Sequence, residues 1–145
     1  PICTWNVSDK GGDYGSRLSI YNNQIRILDP SSLSMMVYPF NGDLLKTVKC
    51  DQFPANDYIS FTHCGRDSLV VTSGQGKTFI VNHKTGQILK TFKHSIKSSA
   101  ITSLDDQTVL LAESSMYGGT KQITVKILNI PTGEYCSYFI VVYCN

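Results

Sequence analysis

Gly86-Gln87-Ile88-Leu89-Lys90-Thr91-Phe92-Lys93-His94 lines up with an earlier stretch, Gly42-Asp43-Leu44-Leu45-Lys46-Thr47-Val48-Lys49-Cys50. A looser third copy runs Gly133-Glu134-Tyr135-Cys136-Ser137-Tyr138-Phe139. The three glycines lie 44 and then 47 residues apart. Self-similarity at such a period marks stacked β units, because one unit cannot bury its apolar faces alone. Units of this kind offer binding surfaces more often than active sites.

Outward from the phrase, the chain is a series of short β signals separated by turn residues. The runs are 17–21, 24–28 and 34–38 in the first third and 58–63, 68–72, 78–82 and 87–92 in the middle. The last third holds 100–104, 108–112, 123–129 and 135–143. Between them stand Asn22-Asn23, Asn41-Gly42, Gly65-Arg66-Asp67, Ser73-Gly74-Gln75-Gly76, Lys84-Thr85-Gly86, Asp105-Asp106, Gly118-Gly119 and Pro131-Thr132-Gly133. Asn and Asp tolerate left-handed backbone and Gly adopts it freely, so these are short hairpin connections. The expectation is one continuous all-β domain over 1–145, with approximate repeats 1–50, 51–94 and 95–145. Each of the two later repeats is read as four antiparallel strands, the unit of a propeller blade.

At the end of the third strand of a unit the chain resembles the WD-repeat β-propeller families, whose third strand ends in Trp-Asp and a Thr-Gly turn. Val81-Asn82-His83-Lys84-Thr85-Gly86 and Leu128-Asn129-Ile130-Pro131-Thr132-Gly133 carry the likeness. In the first third, Leu28-Asp29-Pro30-Ser31-Ser32 and Val37-Tyr38-Pro39-Phe40-Asn41-Gly42 both fill the slot, and Trp5-Asn6 matches the dipeptide. No repeat keeps Trp-Asp intact, and only His94 stands at the place of the family's Gly-His histidine. The resemblance implies WD-repeat-like blades, about three, in an incomplete propeller, since closure takes four to eight. A β-trefoil, with three units in a similar total length, is the alternative.

Bulk properties narrow the class. The chain has 145 residues, 41% hydrophobic and only 17% charged, with a formal charge of +2. That charge is too small to direct binding to nucleic acid or membrane through the global field. The longest apolar runs fall short of a membrane-spanning helix, and the first residues lack a basic-apolar-small signal pattern. Five cysteines without close pairing, Cys3, Cys50, Cys64, Cys136 and Cys144, read as mostly free thiols of an intracellular protein. Asn6-Val7-Ser8 is a formal glycosylation sequon that points the other way.

Chemistry-bearing patterns are weak. Gly74-Gln75-Gly76-Lys77-Thr78 lacks the spacing and the following helix of a phosphate loop, and reads as a hairpin turn. His63-Cys64 and His83 fall short of two close ligand pairs for zinc, and neighbours on a strand point to opposite faces. Asp105-Asp106 falls in a turn, and no nucleophile elbow is present. The expectation is therefore no enzyme, no cofactor and no metal.

The basic cluster Lys84, Lys90, Lys93, His94 and Lys97, with Lys46 and Lys49 at equivalent places, is either a phosphate-contacting strand or an edge defended by lysines. The uncharged run Tyr138-Phe139-Ile140-Val141-Val142-Tyr143-Cys144 is expected to be a central or inter-blade strand, since uncovered it would aggregate. Candidate partner-binding residues are thus Lys90, Lys93, His94, Lys97, Tyr138, Phe139, Val141 and Tyr143. The expected function is a non-catalytic protein-interaction scaffold in a larger assembly, completed by other proteins or further blades, with no membrane and no small-molecule substrate. A trefoil carbohydrate- or ligand-binding module is the alternative, and an RNA-associated propeller subunit the weaker one.

Overall fold

The computed structural model describes residues 17–29, 32–50, 52–53, 59–93, 100–117 and 120–142, with 17, 59, 114–117, 120–122 and 139–142 described by backbone alone. These residues form three four-stranded antiparallel sheets and no helix. Sheet one holds β1 (Arg17–Tyr21), β2 (Gln24–Asp29), β3 (Ser34–Pro39) and β4 (Lys46–Lys49). Sheet two holds β5 (Ile59–Cys64), β6 (Ser68–Ser73), β7 (Lys77–Asn82) and β8 (Ile88–Lys93). Sheet three holds β9 (Ala100–Ser103), β10 (Thr108–Tyr117), β11 (Thr120–Asn129) and β12 (Tyr135–Val142). In every sheet the strands lie in chain order, so each is a simple meander. Three separate meanders are propeller-type blades and set the trefoil aside.

The blades stack face to face. The first strands β1 and β5, and β5 and β9, approach one another across the two junctions. The period-two alternation of a strand assigns side chains of the middle blade to one neighbour or the other. Leu69, Val71, Phe79 and Val81 join Leu28, Met35 and Val48 of the first blade in one core. Val70 and Ile80 join Val109, Leu111 and Leu128 of the third blade in another. The middle strands β6 and β7 are therefore buried on both sides, while blades one and three bury chiefly the face turned to the middle blade, Ile27 being buried on the other face of blade one.

Local turn chemistry repeats with the blades. Asn22 and Asn23 both have positive φ, 53° and 57°, and close β1–β2 as a two-residue turn of the left-handed kind. After β7 the Gly86 amide donates to the Asn82 carbonyl at 2.8 Å, and the Asn82 side-chain oxygen accepts from the Lys84 and Thr85 amides. After β11 the Gly133 amide donates to the Asn129 carbonyl at 2.8 Å, and the Asn129 side chain accepts from the Thr132 amide and hydroxyl. In the first blade Gly42, φ 97°, closes a tighter turn onto Pro39. That turn follows the third strand, so Val37–Gly42 fills the repeat slot and Leu28–Asp29, at the end of β2, does not.

Strand by strand, the sequence reading differs in three places. β4 was not among its runs. β10 and β11 extend to Tyr117 and back from Thr120 around Gly118-Gly119, beyond the expected 112 and 123. The apolar run near the end forms β12, the outer strand of its sheet among the described strands rather than a central one. Its pairing to β11 is continuous from Tyr135↔Leu128 to Val142↔Lys121, because a ladder is set by the partner backbone rather than by its own hydropathy.

Candidate functional site

The sequence-predicted residues scatter. Lys90 and Lys93 stand exposed on β8, the outer strand of the middle blade. Lys90 Nζ donates to the carbonyls of Pro131 at 3.1 Å and Ile130 at 3.5 Å, and lies 5.1 Å from the centre of the Phe92 ring. It thus ties the middle blade to the turn of the third. Tyr138 is exposed on β12, opposite Val125. Phe139 and Val141 are placed on β12 by their backbone only. His94, Lys97 and Tyr143 lie outside the described residues, as do Trp5 and the Asn6 sequon. Gly74–Thr78 is the hairpin turn into β7, as its sequence indicates.

A different group converges at the junction of the first two blades, joining His63, His83 and Lys46, which the sequence reading weighed apart, to Arg26 and Tyr21, which it did not single out. Arg26 sits on β2 with its side chain turned toward blade two, on the same face as Leu28. It is 4% exposed. Its Nη1 donates to His83 Nδ1 at 2.6 Å and its Nη2 to Gln24 Oε1 at 3.3 Å, while Nε has no partner among the described residues. Because arginine only donates, Nδ1 of His83 accepts and the neutral ring carries its proton on Nε2. That Nε2 lies 3.7 Å from Asp67, which Lys84 holds at 2.7 Å.

The floor beside this pair is aromatic. Tyr21 stacks on His63 with centroids 4.2 Å apart and planes 9° off parallel, and His63 meets His83 edge-on at 5.7 Å. His63 is buried, and neither ring nitrogen has a hydrogen-bond partner among the described residues. Burial first, then the charge of Arg26 and the neighbouring His83, push its pKa down to about 3. His83 is lowered as well, by burial first and Arg26 next, with Asp67 opposing. Both rings are therefore neutral at pH 7, and the His83–Asp67 approach is not an ion pair. Burial also lowers Arg26 itself.

Tyr21, Arg26, Asp67 and His83 line a cleft of about 400 Å³ together with Lys46, Arg66 and Lys84, and His63 lies behind Tyr21. Four cations, Arg26, Lys46, Arg66 and Lys84, face one carboxylate, Asp67. His63 and Cys64, adjacent in sequence, serve opposite junctions: Cys64 packs with the third blade and donates to the Asp105 carbonyl at 3.4 Å. Burial, with Asp105 and Asp106 near by, raises its thiol to about 11. Among the described residues no three His, Cys, Asp or Glu side chains gather at metal-binding spacing.

The fold has close structural counterparts. The chain matches the structure of U3-55K with TM-score 0.60 and 17% identity, covering 84% of this chain and 36% of that one. It matches the WD40 β-propeller domain of Doa1 with TM-score 0.60 and 13% identity, over 87% of this chain and 40% of that one. The computationally designed Ika4 protein matches at TM-score 0.59 and 15% identity, over 99% of this chain and the whole of Ika4. No family model matches the chain, and no curated protein matches its sequence. The architecture is that of WD40-propeller blades, and the chain spans little more than a third of the U3-55K and Doa1 structures.

Proposed function

We propose that the chain is a protein-interaction scaffold acting in a larger assembly, with a further blade-like sheet of a partner or another copy stacked against its third blade. The observation that carries this is the face of that blade turned away from the middle one. The cross-strand register puts Leu110 opposite Ile127, and Ile127 opposite Cys136, on that face. Val125 and the exposed Tyr138 pair beside them. On the facing side Val109, Leu111 and Leu128 are fully buried, whereas Leu110, Val125 and Ile127 are only partly so. On the first blade Leu18 and Ile20, each 61% exposed, likewise point away from the stack. Apolar surface of this extent on a sheet face is a site of association. WD40-type blades in the matched structures support the same reading. It includes no catalytic step, and the buried Cys64 thiol suits an intracellular setting.

Sedimentation equilibrium across a concentration series up to about 100 µM tests it. Without its partner the chain is expected to self-associate above its 16.1 kDa mass, and Leu110→Glu with Ile127→Glu is expected to return it to a folded monomer. A strictly monomeric wild type that the same pair of substitutions unfolds would mean the chain already covers this face, and would overturn the proposal.

A further inference from the structure

We propose that the cleft between the first two blades binds an acidic side chain presented by a protein partner, with Arg26 at its floor. The inference takes from the proposed function only that partners are proteins, and it concerns a different surface from the face of the third blade. Its starting point is an imbalance. A guanidinium that is 4% exposed has no carboxylate partner among the described residues; its two hydrogen bonds go to a neutral imidazole and a side-chain amide, and it lies 5.8 Å from the centre of the Tyr21 ring. Buried charges in folded proteins are paired or coordinated, because an uncompensated one carries a large desolvation cost. The one acid of the cleft, Asp67, is exposed and held by Lys84 instead.

The repeat itself shows that the fold does not demand this arrangement. At the second junction the place of Arg26 is taken by Val70 and that of His83 by Ile130, and both belong to an apolar cluster. The first junction therefore has polar groups where the same backbone elsewhere packs hydrocarbon. Arg26, whose buried Nε has no hydrogen-bond partner among the described residues, lines the cleft together with Lys46, Arg66 and Lys84. A carboxylate entering the cleft is attracted by the guanidinium and by these further cations, the pairing that a buried arginine otherwise lacks.

A monoanion fits better than a phosphate dianion, since Asp67 lines the same cleft and its charge opposes a second negative charge there. Nucleic acid is disfavoured because Tyr21, the aromatic ring lining the cleft, is already engaged by a stack on His63 and a cation–π contact with Arg26. The space, about 400 Å³, suits one or two amino-acid side chains.

Fluorescence anisotropy of the full chain at low salt tests the proposal with four labelled probes: hexaglutamate, hexaglutamine, a phosphoserine hexapeptide and hexauridine RNA. Hexaglutamate is expected to bind and hexaglutamine not. Arg26→Gln is expected to weaken hexaglutamate at least tenfold, as is Lys46→Glu with Arg66→Glu, a rim pair that leaves the floor intact should Arg26→Gln fold poorly by circular dichroism. Lys77→Ala with Lys126→Ala, two lysines that do not line the cleft, is expected to change nothing. Equal loss in that control would mean unspecific attraction and overturn the site. So would unchanged binding in the rim variant, or no binding of hexaglutamate. Tenfold preference for the phosphopeptide or the RNA, lost in the rim variant, would overturn the carboxylate assignment in favour of that ligand. Because none of these probes touches the face of the third blade, a failure here leaves the sedimentation result standing, and the reverse.

Discussion

The two junctions of the middle blade are built by the same backbone and filled with different chemistry. Between blades two and three, Val70, Ile80, Val109, Leu111 and Leu128 make an apolar contact in which the ionisable side chains, Cys64 and Tyr135, are held neutral at pH 7 by burial. Between blades one and two, a comparable apolar core around Met35, Leu69 and Phe79 ends in Arg26, His63, His83 and Tyr21. The difference separates what the stack requires from what has been added to it. Apolar alternation and the turn phrase recur at both junctions, so they belong to the architecture. The buried arginine and the two neutral histidines occur at one, so they call for another explanation.

The shared part explains the repeat. A Cβ on Gly86 would collide with the Lys49 carbonyl and touch Val48 of the first blade. A Cβ on Gly133 would come within 2.6 Å of the Phe92 ring of the second. Val48 and Phe92 occupy the same place in successive phrases, six residues after Gly42 and Gly86. Each phrase thus lays its apolar residue against the glycine that opens the next phrase. This contact, together with positive φ at 76° and 77°, requires the glycine for space as well as for backbone freedom.

The largest expected effect comes from testing that device at both junctions. Gly86→Ala forces a left-handed alanine against a fixed carbonyl and is expected to cost about 2–3 kcal/mol in urea denaturation. Gly133→Ala meets a ring that can swing, and is expected to cost about 1–2 kcal/mol. Equal costs, or the reverse order, would show that the phrase packs differently from blade to blade.

The polar junction carries a pH signature that the apolar one lacks. His63 has a native pKa near 3 against an ordinary value of 6.5. Above pH 6.5 the ring is neutral in both states and adds nothing to the pH dependence. As pH falls below 6.5 the unfolded chain takes up the proton first, so stability declines by roughly 1 kcal/mol per pH unit down toward pH 3. His83 contributes in the same direction. Denaturation series at pH 7, 6 and 5 are expected to show this slope, and His63→Phe, which keeps the stack on Tyr21, is expected to flatten it. A slope unchanged in His63→Phe would place the acid sensitivity elsewhere.

Much of the architecture was readable in the residues, and the reasons it was are physical. Turn glycines and asparagines mark positions where left-handed backbone is needed, and Asn82 and Asn129 cap their turns through side-chain oxygens. β4 is marked by the repeated phrase and by no apolar run of its own, because Lys46-Thr47-Val48-Lys49 buries only Val48. The extension of β10 through Glu113-Ser114-Ser115 escaped because pairing to β11, rather than hydropathy, sustains it. The cleft was not legible locally, since Arg26 and His83 are 57 residues apart and meet only when blades stack. A signal existed in the alignment of the repeats, where Arg26 stands in the column of Val70 and His83 in that of Ile130.

That column comparison also supplies the decisive experiment. Arg26→Val with His83→Ile transplants the second junction's residues into the first, and its urea denaturation is measured beside its hexaglutamate affinity. The account predicts stability equal to or above that of the wild type, as when buried charges are replaced by hydrocarbon of fitting shape, together with loss of at least tenfold in peptide binding. A variant that loses more than about 2 kcal/mol of stability, or that still binds the peptide at full strength, would contradict the claim that one junction is built to pack and the other to hold a ligand.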